Sequence, residues 1–193
     1  GRPGLLMSAV GFPSEAWDRI AGGLAALGYR VVQFDWYGNG HSSWDEVPLT
    51  TDVLAEQALG VLNAVGFNGA VHMIAIGSSD LVALTLATIE PGRVRSIALV
   101  HPEGTGTQAD HWSIRWANLP FIGSLVASGL MQRQVKKLNV ERASLTPEQA
   151  DFCRSTLDSI IESVKSRASM RHATLSYFAH LPKPDDLGAI FHE

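Results

Sequence analysis

The chain is poor in several things that would point to particular functions. Its 193 residues hold one cysteine, Cys153, so no internal disulfide can form, and a reducing compartment is expected. No apolar run approaches the roughly 18 residues of a membrane-spanning helix, and no signal peptide is visible; a cytoplasmic location is expected. Fifteen Lys and Arg against nineteen Asp and Glu give a net charge of −4 with no basic cluster, which excludes nucleic acid as the expected partner. The seven histidines show no metal-ligand spacing, so neither a metal nor another cofactor is expected. Charged residues make up only 18% and hydrophobic ones 46%, the balance of a globular chain long enough for one sizeable core. The composition carries no signal for an oligomeric state. The chain starts at Gly1 and enters an apolar run at once, and it ends without a terminal helix, which reads as a fragment cut at both ends.

What is present is an alternation of short apolar runs and helical periodicities. Gly4 to Val10 is a candidate buried strand, broken by Gly11-Phe12-Pro13. Ser14 is suited to cap a helix whose apolar stripe is Trp17, Ile20, Ala21, Leu24 and Leu27, closed by Gly28. Tyr29 to Phe34 is a second strand. After a loop rich in Gly and Ser, Leu54, Ala58, Val61, Leu62 and Val65 mark a second helix, ended by Gly66. Val71 to Ile76 is a third strand, residues 79 to 90 a third helix, and Val94 to Val100 a fourth strand. Strands alternating with helices predict βαβ units, and hence a parallel sheet with right-handed crossovers.

After His101 the pattern changes. Residues 109 to 181 carry no strand signal. Thr146-Pro147-Glu148-Gln149 has the form of a helix start, and Met170, Ala173, Tyr177 and Phe178 mark a last helix, stopped by Pro182 and Pro184. The expected organisation is a core over 1–104, a helical cap or lid over 105–184, and the start of a return to the core over 185–193.

Residues 71 to 87, VHMIAIGSSDLVALTLA, are the most informative stretch: a strand, a small-residue turn and an apolar helix, the layout of a nucleophile elbow. With Gly11-Phe12-Pro13 after the first strand, Asp35-x-x-Gly38-x-Gly40-x-Ser42 after the second, and Glu90-Pro91-Gly92-Arg93-Val94 before the fourth, the chain resembles the α/β-hydrolase superfamily over nearly its whole length. The resemblance implies a parallel sheet flanked by helices with its strands laid out 2-1-3-4, a helical lid, and a carboxylic-ester (acyl) hydrolase acting on a small apolar substrate. It implies oxyanion donors at the backbone N–H groups of Phe12 and Ser78. It also places the catalytic nucleophile at Gly77.

That last position is the sharpest departure. In G-x-S-x-G terms the five residues are Ala75, Ile76, Gly77, Ser78 and Ser79, so glycine stands where serine should, and small residues replace both elbow glycines. Val10 replaces the histidine that family members carry before the oxyanion glycine, and Asp80 replaces a further small residue. Ser78 is the nearest hydroxyl to the vacant position; as a nucleophile it would require the elbow to slip by one residue, which turns the following helix by about 100°. Ser78 and Ser79 otherwise read as N-caps of the third helix, Asp35 as an organiser of its loop, and Glu103 as a solvated carboxylate. Trp112, Trp116, Phe121 and Phe178 are candidates for an apolar substrate pocket between lid and core, or for packing within the lid. Three functions are compatible with this pattern: an esterase-like hydrolase silenced at Gly77, a non-catalytic homologue that binds a ligand or a protein through the old site, and a chemistry that dispenses with a serine nucleophile. The glycine-bearing elbow is also similar to that of the N-myc downstream-regulated family, which lacks the serine.

Overall fold

A computed structural model describes residues 1–43, 47–102 and 168–181, together with isolated positions 133, 136, 143–147 and 158. Within it the chain runs β1 (Arg2–Met7), a 3₁₀ turn (Ser14–Trp17), α1 (Asp18–Ala26), β2 (Tyr29–Gln33), α2 (Thr51–Ala64), β3 (Val71–Ile76), a 3₁₀ turn (Gly77–Ser79), α3 (Asp80–Ile89), a 3₁₀ turn (Pro91–Arg93), β4 (Val94–Val100) and α4 (Ala168–Ala179). The four strands are all parallel and ordered β2-β1-β3-β4, as the resemblance implies. β3 and β4 occupy the predicted spans, whereas β1 starts two residues earlier and ends at Met7. Arg2 pairs with Tyr29 at the start of β2, and Ser8 already spends its carbonyl on the Trp36 indole N–H.

One face of the sheet carries the core. Leu5 and Met7 of β1 and Val71, Met73 and Ala75 of β3 alternate onto this face, as strand period dictates. They cluster with Leu54, Ala58 and Leu62 of α2 and with Val82, Ala83 and Leu86 of α3. Each fully buried leucine of this set contributes about 1.5–3 kcal/mol of transfer free energy. Leu54, Ala58 and Leu62 of the predicted α2 stripe are buried, whereas Val65 lies past the helix end and is exposed; Thr50 caps the helix, its hydroxyl oxygen accepting from the Val53 N–H, and Gly66 follows it at φ +77°.

The first helix departs from expectation. Its predicted stripe buries only Trp17; Ile20 is 42% and Leu27 71% exposed, and α1 itself contains no buried residue. The periodicity was read as one helix, but the chain forms a 3₁₀ turn through Trp17 before the α-helix begins, so Trp17 is not in phase with the rest. Nor does the Ser14 side chain cap the helix. Its backbone N–H instead donates to Asp35 Oδ1 at 2.8 Å, so a carboxylate from another loop satisfies the start of that turn.

α4 lies in the segment expected to form the lid. Ala173 and Tyr177 are nevertheless wholly buried in the core cluster, and Leu49 donates its N–H to Ser176 Oγ. No described helix is long and apolar enough to cross a membrane.

Candidate active site

The sheet's C-terminal edge gathers three loops. The first follows β1. It turns at Gly11, φ +94°, where only glycine is at ease, and the Phe12 N–H folds back to donate to Ala9 O at 2.9 Å. The N–H that the resemblance assigns to oxyanion binding is therefore engaged within its own loop.

The second loop follows β2 and is organised around Asp35. Its two carboxylate oxygens accept separately, Oδ1 from the Ser14 N–H and Oδ2 from the His41 N–H at 2.9 Å. Its carbonyl accepts from the Ser42 hydroxyl at 2.6 Å and from Gln57 Nε2 at 3.2 Å. Gly40, at φ +47°, comes so close to the carboxylate that any Cβ there would collide with it. Asp35, Gly40 and Ser42 thus form one structural unit that ties the β2 loop to the turn before α1, and both carboxylate oxygens are already bonded.

The third is the turn between β3 and α3. Gly77 is buried at φ +57° and is the single left-handed residue of that turn. Ser78 Oγ accepts from the Val10 N–H at 3.0 Å, and both residues are buried. Ser79 Oγ accepts from the Ile76 N–H and lies 3.0 Å from both Met7 O and Ile76 O, to which its hydroxyl can donate. Neither hydroxyl caps α3, correcting the expectation for both serines. Their partners lie on β1 and on the strand end instead, because the 3₁₀ turn points them back at the sheet. Asp80, buried at the start of α3, accepts from the Leu81 N–H at 2.6 Å.

α4 closes over this edge. Tyr177 is fully buried and donates its hydroxyl to Ser78 O at 2.5 Å. One turn earlier, Thr174 covers Gly11: a Cβ built on that glycine would stand 3.1 Å from Thr174 Oγ1. Phe178 packs edge-to-face on Tyr177, ring centroids 5.5 Å apart, and against the core cluster. Trp112, Trp116, Phe121 and Glu103 lie outside the described residues.

Two features of this edge were not found in the sequence. Thr174 offered no signal, being one threonine in a helix. His101 offered none either, yet at φ +51° it is the only described non-glycine residue with a positive φ. Ile76 pairs with Val100, so Gly77 and His101 leave the sheet side by side on adjacent strands. His72, by contrast, is held within the sheet, sharing a 2.7 Å hydrogen bond with Ser96 Oγ and meeting Tyr29 edge-on. Among the described residues no three His, Cys, Asp or Glu side chains converge as a metal site would require.

The fold as a whole matches known structures. An esterase from Thermogutta terrifontis superposes on 97% of the chain with a TM-score of 0.72 at 19% identity. The enol-lactonase of Burkholderia xenovorans does so over 98% with a TM-score of 0.69 at 18% identity. The chain has the α/β-hydrolase fold. It covers 66% and 69% of those two chains. In sequence, the chain is 31% identical over 107 residues to a protein of Variovorax paradoxus named for carbamate hydrolysis, RutD, a match spanning 52% of this chain and 38% of that relative. No protein-family model matches the chain.

Proposed function

We propose that this chain forms the core of a homologue of carboxylic-ester hydrolases that binds a small, mainly apolar acyl or ester-like ligand and does not form an acyl-enzyme. The single observation that carries this is Gly77 at φ +57° on the apex between β3 and α3. The apex is where an α/β-hydrolase elbow presents its nucleophile, and glycine has no atom that can attack an acyl carbon. The two adjacent hydroxyls do not substitute for it. Ser78 Oγ is buried as an acceptor for Val10, and Ser79 Oγ is held between β1 and β3. The engagement of the Phe12 N–H with Ala9 O supports the same view, since an oxyanion would have to displace that bond. A hydrolytic ancestry is supported by the relatives, whose names are those of an esterase, an enol-lactonase and a carbamate hydrolase. In this scheme residues 105–184 act as the lid, and Trp112, Trp116, Phe121 and Phe178 supply its apolar contacts.

The test is a pair of proteins, unmodified and Gly77→Ser, treated with a fluorophosphonate and assayed with p-nitrophenyl butyrate. The unmodified protein is expected to show neither labelling nor turnover. Labelling of the unmodified protein at Ser78, with ester turnover that the label abolishes, would overturn the proposal. Labelling only of Gly77→Ser would identify the machinery around position 77 as intact and silenced by the glycine.

A further inference from the structure

We propose that Thr174 is a ligand-contacting residue whose hydroxyl donates to a carboxylate or carbonyl oxygen held against the Gly11–Phe12 turn. The inference rests on the binding role above and names the polar end of its ligand. Thr174 is 6% exposed, and its Oγ1 is buried with no hydrogen-bond partner. Buried hydroxyls are almost always paired, so an orphan one calls for a missing partner. The other polar side chains that α4 turns toward the core are already matched: Ser176 Oγ accepts from the Leu49 N–H, and the Tyr177 hydroxyl donates to Ser78 O.

The position of the orphan points to the site. Thr174 and Tyr177 are three residues apart, on one face of the helix and about 4.5 Å apart along its axis. Tyr177 is fixed to the turn that carries Gly77, and Thr174 lies over Gly11 of the β1 loop. The unpaired oxygen therefore lies against the β1 loop, three residues along the helix from the tyrosine tied to the Gly77 turn, and beside a glycine whose positive φ allows the backbone to come close. A threonine hydroxyl carries one proton to donate, so the partner it lacks is matched by an accepting oxygen on a ligand. Packing alone would be met by valine, which has the same shape and leaves nothing unpaired.

The experiment compares the protein with Thr174→Val and Thr174→Ser, using butyrate as the probe. Binding is followed by calorimetry and by amide shifts of Gly11 and Phe12. Butyrate is expected to shift both amides, Thr174→Ser to retain binding, and Thr174→Val to weaken it about tenfold, the effect of losing one hydrogen bond to a charged group. Thermal unfolding of Thr174→Val at or above the temperature of the parent shows that the loss is not one of folding. Equal butyrate affinity in parent and Thr174→Val overturns the role of Thr174 while leaving the binding role of the site in place. No binding of butyrate to the parent overturns both.

Discussion

Val10 and Ser78, 68 residues apart in sequence, are joined by a 3.0 Å hydrogen bond from the Val10 backbone N–H to the Ser78 hydroxyl oxygen. Both are buried, so this bond is a fastening between the β1 loop and the elbow turn. It also occupies one lone pair of the hydroxyl that follows Gly77 in the chain. Ser78→Ala would leave the Val10 N–H buried without a partner, at a cost of about 1–3 kcal/mol. Urea denaturation should show a lowered midpoint with an unchanged slope. A midpoint equal to that of the parent would mean that the bond contributes nothing.

At Gly77 the left-handed φ of +57° sets a separate cost. Any residue with a Cβ there, Gly77→Ala as well as Gly77→Ser, should destabilise the fold by about 1–2 kcal/mol. Thermal unfolding of the two variants should give nearly the same loss, because the strain is in the backbone. A loss confined to Gly77→Ser would point to the hydroxyl and away from the turn.

Gly40 faces a harder limit, since a methyl group there would run into the Asp35 carboxylate. Gly40→Ala should cost more than about 2 kcal/mol and displace the β2 loop. Asp35→Asn should also destabilise, by about 1–3 kcal/mol, because one of two accepting oxygens becomes an N–H donor facing another donor. Stability measurements on both variants test whether the loop is held by this carboxylate; a neutral Asp35→Asn would be the contrary result.

His101 should behave in the opposite sense. It stands at φ +51° with an exposed side chain, so His101→Gly is expected to stabilise by about 1 kcal/mol through relief of the left-handed backbone. A lowered unfolding temperature would show that the imidazole makes a stabilising contact worth more than the strain.

Tyr177→Phe removes the hydroxyl that ties α4 to Ser78 O while keeping the ring in the core. A loss of about 1–2 kcal/mol is expected, with faster amide exchange in α4. Unchanged exchange would show that apolar packing of Ala173 and Tyr177 is enough to hold the helix.

Local chemistry in the sequence decided the element order and much of the architecture. Apolar runs of strand length alternating with helical stripes call for parallel βαβ units, and the order β2-β1-β3-β4 is the one the family resemblance implies. That Gly77 stands in the turn between β3 and α3 was readable from the strand before it and the helix after it. The roles of the side chains around that apex came from the tertiary structure. Ser78 and Ser79 have the side chains of helix caps, yet their hydroxyls meet Val10 and Met7, and Ser14 meets Asp35 through its backbone N–H, all on segments brought alongside only by the sheet. Thr174 and Gly11 lie far apart in the chain and meet because α4 packs across the sheet's edge. Periodicity and capping are set by neighbours a few residues away and can be read along the chain, whereas a hydrogen bond between distant segments depends on where packing places both ends.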